Sequence, residues 1–184
     1  TGLVPIHKHK SITMQRISVE GCSGHSSNPA LGNSALEAMH EVIARLLAYR
    51  DKLQTEFYDP AFAIATPTIN LGCIHGGDNP NRICPSCELH FDARLLPGMH
   101  NQTLVKDVQE IVNEVAAKRR LSIQLSPLFD GVEPFSQALD SELVRAAEQL
   151  TGHQAEAVAF ATEGPYLQQM GIDIAPELLI QRAK

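Results

Sequence analysis

The sequence predicts an α+β fold: a four-stranded antiparallel sheet carrying two helices on one face, followed by a stretch of α/β character. Three observations carry this. Segments of alternating apolar residues fall near 11–20, 66–74, 88–95 and 121–125. Two long runs between them place apolar residues at helical spacing. Beyond Pro127 the pattern changes to short strand and helix signals in alternation.

Residues 1–8 read as a strand or linker from another domain, with His7 and His9, two apart, alternating faces or lying in a frayed end. Ile12, Met14, Ile17 and Val19 then alternate, with a phase change near Arg16 that predicts a bulge or bend. Gly21 to Gly32 is a polar turn rich in Gly, Ser, Asn and Pro. Asn33 and Ser34, with Glu37 three residues beyond the serine, announce a helix through a capping box, and Leu36, Met39, Ile43, Leu46, Leu47 and Leu53 recur along it. A second strand, Thr66 to Ile74, sets Ile69, Leu71 and Cys73 on one face and ends in Gly76-Gly77-Asp78-Asn79-Pro80. In the third, Leu89, Phe91, Ala93 and Leu95 alternate with Glu88, His90, Asp92 and Arg94, and Pro97-Gly98 closes it. Leu104, Val108, Ile111, Val112 and Val115 mark a second helix, and Leu121, Ile123 and Leu125 a fourth strand. The order βαββαβ is the ferredoxin-like, split βαβ arrangement, and it leaves one sheet face and an edge strand for a partner.

A boundary falls near 127–137, dividing the chain into 1–8, a domain at 9–128, and a partial domain at 129–184. In the last part Asp140 or Ser141 caps a helix holding Leu143, Val144, Ala147 and Leu150, with Gly152 as its stop. Ala157–Ala161 reads as a strand, Thr162-Glu163-Gly164-Pro165 as a turn, the residues through Gln169 as a brief helix, and Ile172–Ile174 as a further strand. Two short strands do not make a stable sheet, so this tail calls for more chain to pack against.

Composition narrows the function. A net charge of -6 with scattered Lys and Arg argues against nucleic acid and anionic membranes as partners. No apolar run approaches the ~18 residues of a membrane span. The opening has neither Met nor a signal-type apolar stretch, which predicts the interior of a longer protein. Four cysteines, Cys22, Cys73, Cys84 and Cys87, are too unevenly spaced for a disulfide framework and read as structural thiols in a reducing, cytoplasmic setting. Cys84-Pro85-Ser86-Cys87 has redox or zinc-knuckle spacing but lacks a second close pair.

Two constellations carry chemistry. His25, between Gly24 and Ser26 in a polar loop, reads either as a donor to a developing oxyanion or as an imidazole bonded to its own turn. Asn81 and Arg82, after the glycine turn, suit carboxylate recognition, and Arg94 on the neighbouring strand either converges with them or pairs with Asp92 or Glu88.

Gly24-His25-Ser26-Ser27-Asn28-Pro29 before a capped helix, then Gly76-Gly77 and Asn81-Arg82-Ile83, then Asp92-Ala93-Arg94-Leu95-Leu96-Pro97-Gly98, together resemble the lid domain of the zinc aminoacylase and carboxypeptidase family. Cys84, where most relatives have Pro, with Cys87 and the Thr162–Pro165 turn, resembles the branch that deacetylates an N-acetylated diamino acid. The resemblance implies a two-lobed homodimeric enzyme whose catalytic domain holds two zinc or cobalt ions and whose lid pairs through an edge strand and helix. It implies that His25 steadies the tetrahedral intermediate in the partner's active site, and that Asn81, Arg94, Arg82, Thr162 and Glu163 serve substrate binding. It implies metal ligands upstream of Thr1, with one last His after Ile174. Here the chain departs: a segment with that His is skipped, and Ala175–Ile180 resembles the family's C-terminal helix. His7, His9, His40, His75, His90, His100 and His153 lack ligand spacing, and none is assigned to metal. The chain alone is expected to bind no stoichiometric zinc, to be inactive and to dimerise. Removal of a succinyl or other acyl group, peptidase activity, and a non-catalytic dimerisation module are the alternatives.

Overall fold

The structure, a computed structural model, describes residues 3–170 and 177–180. Its strands and helices run β1 (Leu3–His9), β2 (Thr13–Glu20), α1 (Ala35–Glu56), β3 (Thr68–Gly76), β4 (Ser86–Arg94), α2 (Asn101–Arg119), β5 (Ser122–Pro127), β6 (Phe135–Ser136), α3 (Glu142–Thr151), β7 (Glu156–Val158), α4 (Gly164–Gln169) and β8 (Glu177–Ile180). They form two sheets, β3-β4-β2-β5 and a second one gathered around β1.

The first sheet is fully antiparallel, and its order is that of the predicted βαββαβ unit. Alternation places Ile17 and Val19 of β2 and Cys87, Leu89, Phe91 and Ala93 of β4 on one face, where they meet Met39, Val42 and Leu46 of α1 and Leu104, Val108 and Val112 of α2 in a single core. Ser34 caps α1, its hydroxyl accepting from Glu37 N–H. Helix α2 ends at Arg120, in the left-handed conformation, with Leu121 N–H donating to Ala116 O. Glu41 of α1 binds Lys118 and Arg119 of α2, and these cations hold its carboxyl below the usual carboxylate range.

Several expectations are corrected here. Strand β2 has no bulge: it pairs without interruption from Thr13 to Glu20, and Thr13 and Gln15, not Ile12 and Met14, continue the buried face. These two polar residues can be buried because Gln15 Nε2 donates to Thr13 Oγ1 at 3.0 Å. The bulge lies in β3, between Leu71 and Cys73, and beyond it Cys73 is exposed rather than part of the core. Leu36 is 48% and Leu150 86% exposed, each off the buried face of its helix.

In the second sheet β1 pairs in parallel with β7 and antiparallel with β6 and β8. His7 and His9 are not frayed: they lie in β1, whose register against β7 shifts between Ile6 and Lys8, and both are buried. Ser141 caps α3 and Gly152 ends it in a left-handed turn. The strand predicted at Ala157–Ala161 is the shorter Glu156–Val158. Residues 177–180 form a strand on β1 rather than part of a helix, because main-chain pairing with Leu3–Ile6 is available to them. The strand expected at Ile172–Ile174 lies outside the described residues.

Candidate functional site

The sequence folds two loops against each other at one end of the first sheet. Residues 21–33 follow β2, residues 77–85 precede β4, and β2 and β4 are neighbours, so both loops leave the sheet side by side. Cys22 and Asn33 close the neck of the first loop with a pair of main-chain bonds of 2.8 Å each. Glycine is required there, since a Cβ on Gly32 would lie 2.4 Å from Cys22 O and one on Gly21 2.4 Å from Asn33 O. The second loop turns at Gly77, with φ of +73°. The two are then laced together: Gly21 N–H donates to Pro85 O (2.8 Å), Ser26 N–H to Asn81 O (2.9 Å), Ile83 N–H to Gly24 O (2.9 Å), and His25 and Arg82 form an antiparallel bridge. Asn33 Nδ2 donates to Arg119 O at 2.8 Å and ties the neck to the end of α2.

This lacing presents His25, Asn81 and Arg82 together, all exposed, at the tip. Nδ1 of His25 lies 2.7 Å from Ser27 Oγ and 3.3 Å from Ser27 N–H. The imidazole is bonded to its own turn through one nitrogen, as the second sequence reading has it, and the other nitrogen makes no hydrogen bond among the described residues. The Arg82 guanidinium binds Asp78, four residues before it. A cavity of about 450 Å³ opens beside them, bounded by Ser26, Arg82, Ile83 and the start of α1 at Ser34 and Glu37.

Arg94 does not converge with Asn81 and Arg82 in one chain. It sits opposite Thr68 at the far end of β4, eight residue steps and so about 25 Å along the strand from Ser86, where the laced loops leave the sheet. Its Nε donates to Asp92 Oδ2 at 2.9 Å, the pairing the sequence offered as the alternative. Glu88, on the same open face, binds His90 at 2.7 Å, and this contact holds its carboxyl below the ordinary range. Thr162 and Glu163 lie before α4, where Thr162 Oγ1 accepts from Gly164 N–H at 3.3 Å and Glu163 is exposed.

Sequence reasoning missed two groups. Ser27 stands in the sequence as one polar residue among many, although its position two after a loop histidine is the spacing of a local side-chain turn. Lys10 carries no local sequence signal, yet it is buried, its Nζ donating to Thr66 O at 2.7 Å and lying 5.6 Å from the centre of the Phe62 ring.

The described residues do not fit a metal centre. No group of three His, Cys, Asp or Glu side chains among them is arranged to hold an ion. His9 is engaged with Lys10 O at 2.9 Å and stacked on Phe135, and burial pushes its imidazole below the ordinary histidine value. All four cysteines are free thiols, and burial pushes that of Cys87 up. No helix among the described residues is long and apolar enough to cross a membrane.

The sheet has one face packed, its edge strands β3 and β5 each paired on one side only, and a polar tip held out on laced loops, which leaves main-chain groups open to pairing. Residues 7–120 match the M20 peptidase dimerisation domain, and the chain belongs to that family. It is 46% identical over 170 residues to an acetylornithine deacetylase of Vibrio cholerae, covering 92% of this chain and 45% of that protein. It is 41% identical over 180 residues to an acetylornithine deacetylase of Aliivibrio salmonicida, covering 98% of this chain and 47% of that one. The chain thus spans about half the length of these relatives. A crystal structure of a tripeptidase from Staphylococcus aureus shares the fold, with a TM-score of 0.66 at 18% identity over 92% of this chain and 43% of the tripeptidase.

Proposed function

We propose that this chain is the dimerisation lid and part of the catalytic domain of a metal-dependent amide hydrolase that removes the acetyl group from N2-acetylornithine, releasing ornithine and acetate. The observation that carries this is the 41–46% identity to acetylornithine deacetylases over 92–98% of the chain. On this reading residues 9–128 are the lid, residues 1–8 and 129–184 belong to the catalytic domain, and the zinc or cobalt ligands stand on segments outside this chain. The enzyme is cytoplasmic, and it binds neither nucleic acid nor membrane.

The geometry supports a site shared between two copies. The loops of the tip and Arg94 stand at opposite ends of β4, about 25 Å of strand between them, too far to hold one small substrate in the same chain. Pairing two lids along β3 sets the tip of each over the other molecule. Of the two open edges, β3 supports that pairing, with Ile74 49% exposed beside Leu36, His40, Ile43 and Arg119 of the two helices. His25 then donates a hydrogen bond to the oxyanion that develops as the acetyl carbonyl becomes tetrahedral in the partner's site, with Asn81 and Arg82 beside it. Arg94 offers its remaining N–H groups to the substrate carboxylate from its own chain, near the junction with the catalytic domain, where Thr162 and Glu163 also serve the substrate.

Two measurements test the reading. Full-length, metal-loaded enzyme is expected to hydrolyse N2-acetylornithine with kcat/KM at least about a hundredfold above that for N-succinyl-diaminopimelate, and equal rates would move the assignment to another acyl group. The chain is expected to sediment as a dimer, and Ile74→Lys to shift it to monomer by placing a charge in the paired edge. A parent chain that stays monomeric at high concentration rules out pairing through β3.

A further inference from the structure

Building on the reading of His25 as an oxyanion donor, we propose that Ser27 is the positioning residue that fixes which nitrogen of His25 carries the proton and how the ring is held. The main chain on either side of His25 is already pinned, since Ser26 N–H donates to Asn81 O at 2.9 Å and Asn28 N–H to His25 O at 3.0 Å. What remains free is the side chain itself, about its two torsions. Ser27 removes that freedom. Its main-chain N–H, 3.3 Å from Nδ1, can only donate, so Nδ1 is the acceptor and the proton of the neutral ring sits on Nε2. The Ser27 hydroxyl, 2.7 Å from the same nitrogen, turns its hydrogen onto it as a second donor.

The consequence is chemical. With the proton on Nε2, the uncommitted nitrogen of an exposed ring is a donor, which is what an oxyanion requires. The other tautomer would set Nδ1–H against Ser27 N–H, donor to donor, and would offer the oxyanion a lone pair. Ser27 therefore acts through His25 and touches no substrate. Because a main-chain and a side-chain donor share the task, loss of the hydroxyl loosens the ring without abolishing the arrangement.

The test uses Ser27→Ala, which keeps the main-chain N–H, and Ser27→Thr, which restores a hydroxyl. In the 15N-histidine-labelled chain at alkaline pH, with His25→Ala used for assignment, His25 is expected to show Nε2–H and a hydrogen-bonded, unprotonated Nδ1. Ser27→Ala is expected to move the Nδ1 resonance toward that of an unbonded imidazole, and Ser27→Thr to bring it back. In the full-length enzyme Ser27→Ala is expected to lower kcat about tenfold with KM within about twofold, and Ser27→Thr to recover most of the loss. A parent chain with the proton on Nδ1 overturns the proposal, as does a Ser27→Ala variant whose Nδ1 resonance and kcat are both unchanged. The expected tautomer together with a His25→Ala enzyme of undiminished kcat would instead sink the oxyanion reading, and with it the purpose assigned to Ser27.

Discussion

The two ends of the first sheet solve opposite problems with the same residue types. At the tip, polar side chains are exposed and the main chain does the holding: His25, Asn81 and Arg82 sit on loops joined by backbone hydrogen bonds. At the root, where β1 leads into β2, polar side chains are themselves the fastening. Ser11 Oγ accepts from Leu95 N–H at 2.9 Å, Lys10 reaches Thr66 O, Lys8 pairs with Asp59 at 3.0 Å, and Asn101 Nδ2 donates to Val132 O at 2.9 Å. Ser11, Lys10 and Asn101 are all buried. Side chains committed to the fold are unavailable to a ligand, which leaves the exposed groups of the tip and, at the other end of β4, the remaining N–H groups of Arg94 as those free to meet another molecule.

Substitution at the two ends should therefore separate catalysis from binding and from stability. The largest effect is expected at the tip. In the full-length enzyme His25→Ala should lower kcat by about a hundredfold or more, the scale of a lost oxyanion donor, with KM little changed and the urea midpoint of the chain unmoved. Arg94→Ala should chiefly raise KM, by about tenfold, because the proposed carboxylate contact would be made alike in ground and transition states. Parallel losses of kcat and KM from the two variants would erase the distinction between the ends.

Most of the first sheet was legible in the sequence because its strands bury one face and its helices one stripe, so period alone places Leu89, Phe91, Val108 and Val112. Legibility failed where polar residues are buried or apolar ones are not. The face of β2 continues through Thr13 and Gln15, which bond to each other, whereas apolar period alone points to Ile12 and Met14. Residues 177–180 form a strand through main-chain pairing with Leu3–Ile6, a contact across nearly the whole length of the chain that no local pattern encodes. At the site, the identities of His25, Asn81 and Arg82 were readable as a motif and their adjacency is a finding of the fold. The separation of Arg94 was hidden, because strand length sets it and the motif does not.

The smallest effect is expected at the root, and it turns on Lys10. Burial pushes the Lys10 ammonium below its ordinary value, so in the alkaline window between the lowered folded value and the ordinary one the unfolded chain binds more protons than the folded chain. Stability contributed at this position then rises with pH across that window and is constant below it. Lys10→Met keeps the length and burial of the side chain, removes the titration and leaves Thr66 O without its donor, so near neutral pH the two proteins should differ by only ~1 kcal/mol. The parent should gain on the variant as pH approaches ~10, read as a growing difference in urea midpoints. Because Cys87 and Tyr49, both pushed up by burial, titrate alike in the two proteins, the difference isolates Lys10. A pH-independent difference would mean that the ammonium is as well solvated at the root as in the unfolded chain, and that root and tip do not differ in electrostatic burial.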